Sequence, residues 1–156
     1  MDMDYARRIP RLVAAILDII VMLIIFAILG VAGVVEAADP EEEFNVVSSI
    51  VSAVIVLIYY VGLTAILGQT LGKMAMGIRV VNIDGEKPAP VTVLTREVIV
   101  RVLGTVLAVV LGPIIAPGTG ALIGGIVALV AIIWILFDDR RQGLHDKVAK
   151  TFVVKA

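Results

Sequence analysis

Asp18 is the first residue of this chain that asks for a chemical explanation. It sits inside "RIPRLVAAILDIIVMLIIFAILG", residues 8–30, and every neighbour within one turn of it is apolar. A charged side chain near the middle of a membrane helix costs about 2.5–3.5 kcal/mol on insertion scales and usually marks function. Pro10 suits the first helical turn, so Asp18 lies roughly 12 Å further along at 1.5 Å per residue. Arg11, seven residues earlier, shares its helix face. Side chains lean toward the helix N-terminus, however, which directs Arg11 away from Asp18 and toward lipid phosphates. Arg101, about one turn inside the third apolar segment, is the expected partner. Two roles for Asp18 are open. As one half of a buried ion pair with Arg101 it fixes helix register; as a carboxylate in a water-filled vestibule it exchanges a cation for a proton.

The other polar clusters carry weaker signals. "GQTLGK", residues 68–73, lacks the spacing of a Walker loop and follows no long strand. It reads as a tight interfacial turn in which Gly68, Gly72 and Gly77 press against helix ends, with Lys73 and Arg79 touching lipid headgroups. His145 and Asp146, with Asp138 and Asp139 nearby, make a poor metal set. Asp146 is expected instead to accept hydrogen bonds from loop amides or from an arginine of "DDRRQGLHD", locking the tail under the helices. Nucleophile, base and orienter do not occur together, and the chain has no cysteine. Enzyme activity, a cofactor, a bound metal and a nucleic-acid partner are therefore not expected.

The elements that must position these residues follow from composition. Of 156 residues, 60% are hydrophobic and 17% charged, with a mean hydropathy of +1.08, more than a soluble domain of this size shows. Four apolar segments are long enough to cross about 30 Å of hydrocarbon: approximately 11–35, 46–68, 97–116 and 120–137. A loop, 69–96, and a tail, 138–156, complete a single membrane domain over 1–156. The first segment resembles a secretory signal, but signal cores run to about 7–15 residues and this one is far longer. Gly120, Gly124 and Ala128 recur at four-residue spacing, which lets a second helix approach closely, within the bundle or across a homodimer.

Orientation follows from the basic residues, which concentrate on the cytoplasmic side of membrane proteins. All thirteen fall before the first segment, between the second and third or just inside the third, or after the fourth. The loop "EAADPEEEFN" carries five acids and no base. Both termini are thus expected in the cytoplasm of a multi-pass protein of the cell membrane. Outside the membrane, "IRVVNIDG" has β-branched residues ahead of Asp84-Gly85, a good turn dipeptide, and "TFVVKA" is also strand-like. Residues 78–83 are expected to pair with 151–155 as a small cytoplasmic sheet. The fold class is an all-α membrane protein, a four-transmembrane-helix bundle with a two-stranded β element.

"RLVAAILD", "GQTLGKMAMGIRVVNIDG", "TREVIVR" and "RRQGLHDKVAKTFVV", in that order from about Arg7 to Val154, resemble the RDD family of small membrane proteins. The arginine and two aspartates that name the family correspond to Arg11, Asp18 and Asp146. The resemblance implies membrane location and suggests transport of ions or small solutes, some members being regarded as cation/proton antiporters. Family members often carry a further base after the "GK" pair, where this chain has Met74 and Ala75, which weakens any anionic contact there. Two functions result. One is a small transporter of monovalent cations coupled to protons through Asp18. The other is a non-catalytic accessory protein that binds lipid or a partner protein through its basic cytoplasmic face.

Overall fold

The structure, a computed structural model, describes residues 4–35, 46–99, 114, 126, 130, 133–138 and 142–156. Arg101, the stripe Gly120, Gly124 and Ala128, the loop 36–45 and most of the third and fourth apolar segments lie outside the described residues.

Helix α1, Arg8–Val31, carries Pro10 in its first turn and ends where the backbone turns through Gly33 at φ +69°. Its buried residues are Arg11, Ala14, Asp18 and Met22, three to four positions apart and so on one face. Ile16, Ile19, Ile20, Leu23, Ile24 and Ile28 on its other faces are exposed. A row of large apolar side chains without protein cover suits lipid, where burial within the protein brings no hydrophobic gain. The next helical run comprises α2, Val46–Leu57, a π-helical turn, Ile58–Gly62, and α3, Leu63–Leu67. Among the described residues, Arg8–Val31 and Ile50–Leu67 are long and apolar enough to cross a bilayer.

The run stops at Gly68, which takes the left-handed conformation at φ +74° that closes helices. Its carbonyl accepts the Val80 amide at 2.9 Å, so the end of α3 is tied to β1, Ile78–Val81. Between them lies the short helix α4, Leu71–Ala75. After β1, the Asn82 side-chain oxygen accepts the amides of Asp84 and Glu86, both at 2.9 Å, with Gly85 at φ +83°. This is the turn expected at Asp84-Gly85, built on an asparagine that bonds its own downstream backbone. Residues 90–99 are helical. Helix α5, Leu144–Val148, precedes β2, Phe152–Lys155.

Strands β1 and β2 pair antiparallel, with Val80 opposite Val153 and Val81 opposite Phe152. The start of the chain joins them: Tyr5 bridges Val154, the Ala6 amide donates to the Val153 carbonyl at 2.9 Å, and the Lys155 amide donates to the Asp4 carbonyl at 3.1 Å. Under α1 this makes a small core of Ala6, Ala14, Ile78, Val80 and Val153. On the other sheet face Val81, Phe152 and Val154 pack with Tyr5. A two-stranded ribbon alone is marginal in water; the added N-terminal bridge and the packing on α1 supply what it lacks.

Candidate functional site

Two buried aspartates organise the described structure. Asp18, 3% exposed, receives three donors. The Tyr59 hydroxyl reaches Oδ1 at 2.7 Å, the Thr70 hydroxyl reaches Oδ2 at 2.6 Å, and the Gly72 amide reaches Oδ1 at 2.8 Å. Thr70 stands at the N-cap of α4, yet its side chain makes no cap bond, because its hydroxyl donates to Asp18. The amide at the second position of α4, which a cap side chain normally satisfies, is taken by Asp18 as well. Asp18 thus caps α4 from another helix. The approach requires a glycine: a Cβ at position 72 would stand 2.2 Å from the Ala14 carbonyl oxygen and 2.8 Å from the Asp18 carboxylate. Tyr59 comes from the π-helical turn, and such turns recur at functional positions of helices.

The second carboxylate, Asp146, is fully buried at the third position of α5 and accepts the Gly143 amide at 3.0 Å, the backward half of a capping box. Arg11 pairs with it from α1. Arg96 reaches its Oδ1 at 3.0 Å, and the Thr151 hydroxyl lies 3.4 Å away. Burial alone would raise the Asp146 carboxyl. The guanidinium groups of Arg96 and Arg11 and the Gly143 amide outweigh it and hold the group well below the usual carboxylate range. His145, next in the chain, is lowered to about 4, chiefly by burial. Lys73 on α4 is half-buried and lowered to about 8 by burial and then by the charge of Arg96.

Arg11 and Asp18 do share the buried face of α1, as their spacing predicts. Arg11 does not reach toward lipid phosphates, however; it turns inward to Asp146, because the start of α5 brings a buried carboxylate to the first turn of α1. Asp146 is held by a loop amide, as expected, and its described arginine partners are Arg11 and Arg96; Arg140 and Arg141 of "DDRRQGLHD" lie outside the described residues. Among the described residues Asp18 makes no ion pair, and Arg101 lies outside them. Arg79 is exposed on β1. Sequence reasoning missed Tyr59, Thr70 and Gly72 as partners of Asp18, and Arg96 as a partner of Asp146. The signal for the first three was "GQTLG" itself: a threonine at an N-cap position and a glycine two residues later, at the end of an apolar helix, in a chain with an aspartate inside another apolar helix.

Comparison with known proteins returns a consistent relationship. The model of the RDD family matches residues 5–150. The uncharacterized membrane protein YteJ of Bacillus subtilis (strain 168) is 28% identical over 107 residues, which cover 68% of this chain and 52% of YteJ. The chain therefore spans about half the length of this curated relative. No solved structure matches.

Proposed function

This chain belongs to the RDD family of membrane proteins, and on that footing we propose that it exchanges a monovalent cation for a proton at Asp18. The observation that carries the reading is the set of partners around this carboxylate. Asp18 is buried in a helix long and apolar enough to cross a bilayer, and its described partners, Tyr59, Thr70 and Gly72, are all neutral. A carboxylate at membrane depth with no cation paired to it among the described residues is expensive, and binding a proton or a small cation removes the charge. The hydroxyl oxygens of Tyr59 and Thr70 are also hard ligands of the kind that small cations accept.

The proposed architecture is a four-span protein of the cell membrane with both termini in the cytoplasm. Residues 4–6, β1 and β2 meet in one hydrogen-bonded unit, which supports an even number of crossings before and after β1. The basic residues favour the cytoplasm for that side. Four spans form a narrow bundle, and a homodimer would enlarge the polar cavity available to an ion.

A second reading is favoured by the capping geometry. If Asp18 serves only to seat α4, the protein is a non-transporting accessory component that binds lipid or a partner through its cytoplasmic face. Flux separates the two. Full-length protein reconstituted in vesicles with an internal pH dye is challenged with sodium, potassium and lithium under a pH gradient. Transport predicts dissipation of the gradient by at least one cation and complete loss in Asp18→Asn, which keeps the side chain's shape. Wild-type vesicles that hold their gradient with every cation, or an Asp18→Asn protein with unchanged flux, would reject the transport role.

A further inference from the structure

Arg96 presents an unexplained feature. It is 2% exposed, and among the described residues its guanidinium is bonded through Nη2, to Asp146 at 3.0 Å. Among the described residues, Nε and Nη1 are buried without a hydrogen-bond acceptor. The carboxylate of Glu97 stands 3.9 Å from Nε, too far for a hydrogen bond. Buried donors left unmade cost more than a hydrogen bond normally contributes, and more again when the donor is charged. Native proteins rarely tolerate this without a water, an ion or a ligand at the position.

The second observation is the neighbouring cation. Lys73, from the last turn of α4, is half-buried, and after burial itself the charge of Arg96 acts on it most strongly. No acceptor of the Lys73 ammonium is found among the described residues. The carboxylates of Glu97, Asp18 and Asp146 act on Lys73 in the opposite sense, but among the described residues none of them is hydrogen-bonded to the two open nitrogens of Arg96. A water would satisfy these donors singly; an oxyanion would accept from both open nitrogens of Arg96 and from the Lys73 ammonium at once. Guanidinium and ammonium together are the usual means of holding phosphoryl oxygens.

We propose that Arg96 and Lys73 form an anion site that takes a phosphoryl oxyanion, as inorganic phosphate or as the phosphodiester of a lipid headgroup. The proposal does not depend on the cation reading, although Asp18 is close enough for its charge to act on Lys73. Lys73 lies six residues beyond the end of the span Ile50–Leu67, a position suited to the headgroup layer.

The first measurement uses the wild-type chain, so that it does not depend on the folding of a variant. The protein is delipidated in a neutral detergent free of phosphate. Lys73, lowered to about 8, should be acylated by an N-hydroxysuccinimide ester at pH 8 faster than the exposed Lys87. Added inorganic phosphate at constant ionic strength should slow Lys73 at least fivefold and saturably, leaving Lys87 unchanged. Phosphatidylglycerol-containing micelles are the second arm, with phosphatidylcholine as control. Protection by phosphatidylglycerol that displaces phosphate identifies the headgroup as the occupant; protection by phosphate alone identifies the free anion. Lys73→Gln should abolish phosphate broadening in phosphorus NMR, while Arg79→Gln should keep it. Lys73 acylation unaffected by either probe, or broadening equal in wild type and Lys73→Gln, overturns the site.

Discussion

Asp146 shows how much one buried carboxylate governs. With Arg11 and Arg96 directed at it, Asp146→Asn removes the carboxylate that two buried guanidinium groups share. Loss of one partner of a buried pair costs about 3–5 kcal/mol, so the thermal midpoint of this variant in detergent should fall steeply, and by more than that of Asp138→Asn. Asp138 instead receives the exposed Lys147. His145 adds a pH dependence of definite sign. Its folded value is lowered from 6.5 to about 4, so below pH 6.5 the unfolded chain binds a proton that the folded protein refuses. Stability is therefore complete above pH 6.5 and declines as pH falls toward 4, by up to about 3 kcal/mol. His145→Gln should flatten a plot of thermal midpoint against pH over that window. An unchanged slope would place the titrating group elsewhere.

At the scale of elements, the close seat of α4 on α1 rests on the missing side chain of Gly72. Gly72→Ala would push a methyl into the Ala14 carbonyl, which is backbone and cannot swing away. Helix α4 must then lift, breaking the amide bond to Asp18 and, with it, the Thr70 contact. Overpacking of this kind costs about 1–3 kcal/mol, and the same displacement should lower any cation flux that uses Asp18. Gly62→Ala is the control, since nothing lies within 4 Å of its added Cβ. The sheet allows a separate measurement by hydrogen exchange. The Val80 amide donates to the Gly68 carbonyl, and Val80 stands opposite Val153 in the strand pair. Both valine amides should exchange far more slowly than the exposed turn around Asp84. Rapid exchange at both would mean that the strands do not stay paired.

At the scale of the whole molecule, the start of the chain, the connector after α3 and the last strand are sewn into one unit. The prediction is that all three label from the same side of the membrane. Single cysteines at positions 84 and 156 should react with an impermeant maleimide only from the cytoplasmic face, and one at position 42 only from outside. No native cysteine interferes. Reaction of position 42 from the cytoplasmic face would invert the orientation, and opposite sidedness of 84 and 156 would rule out an even number of crossings between them.

Membrane residence, the two described spans, the strand pairing and the Asp84-Gly85 turn were legible in the chain, because each rests on local quantities. Twenty apolar residues, β-branched runs and turn dipeptides act over a few neighbours, and bilayer thickness or backbone geometry supplies the rest. Asp18 was legible as an anomaly for the same reason. Its partners were not: Tyr59, Thr70 and Gly72 lie 41 to 54 residues away, and hydrogen bonding over such separations leaves no periodicity to read. Arg11 was turned the wrong way in that reading, since the lean of a side chain along its own helix says nothing of a carboxylate 135 residues later. Sequence alone determined that this is a membrane protein and which polar groups stand out within its apolar segments. Tertiary structure alone decided what each of those groups holds, because burial charges make their choice of partner across the whole fold.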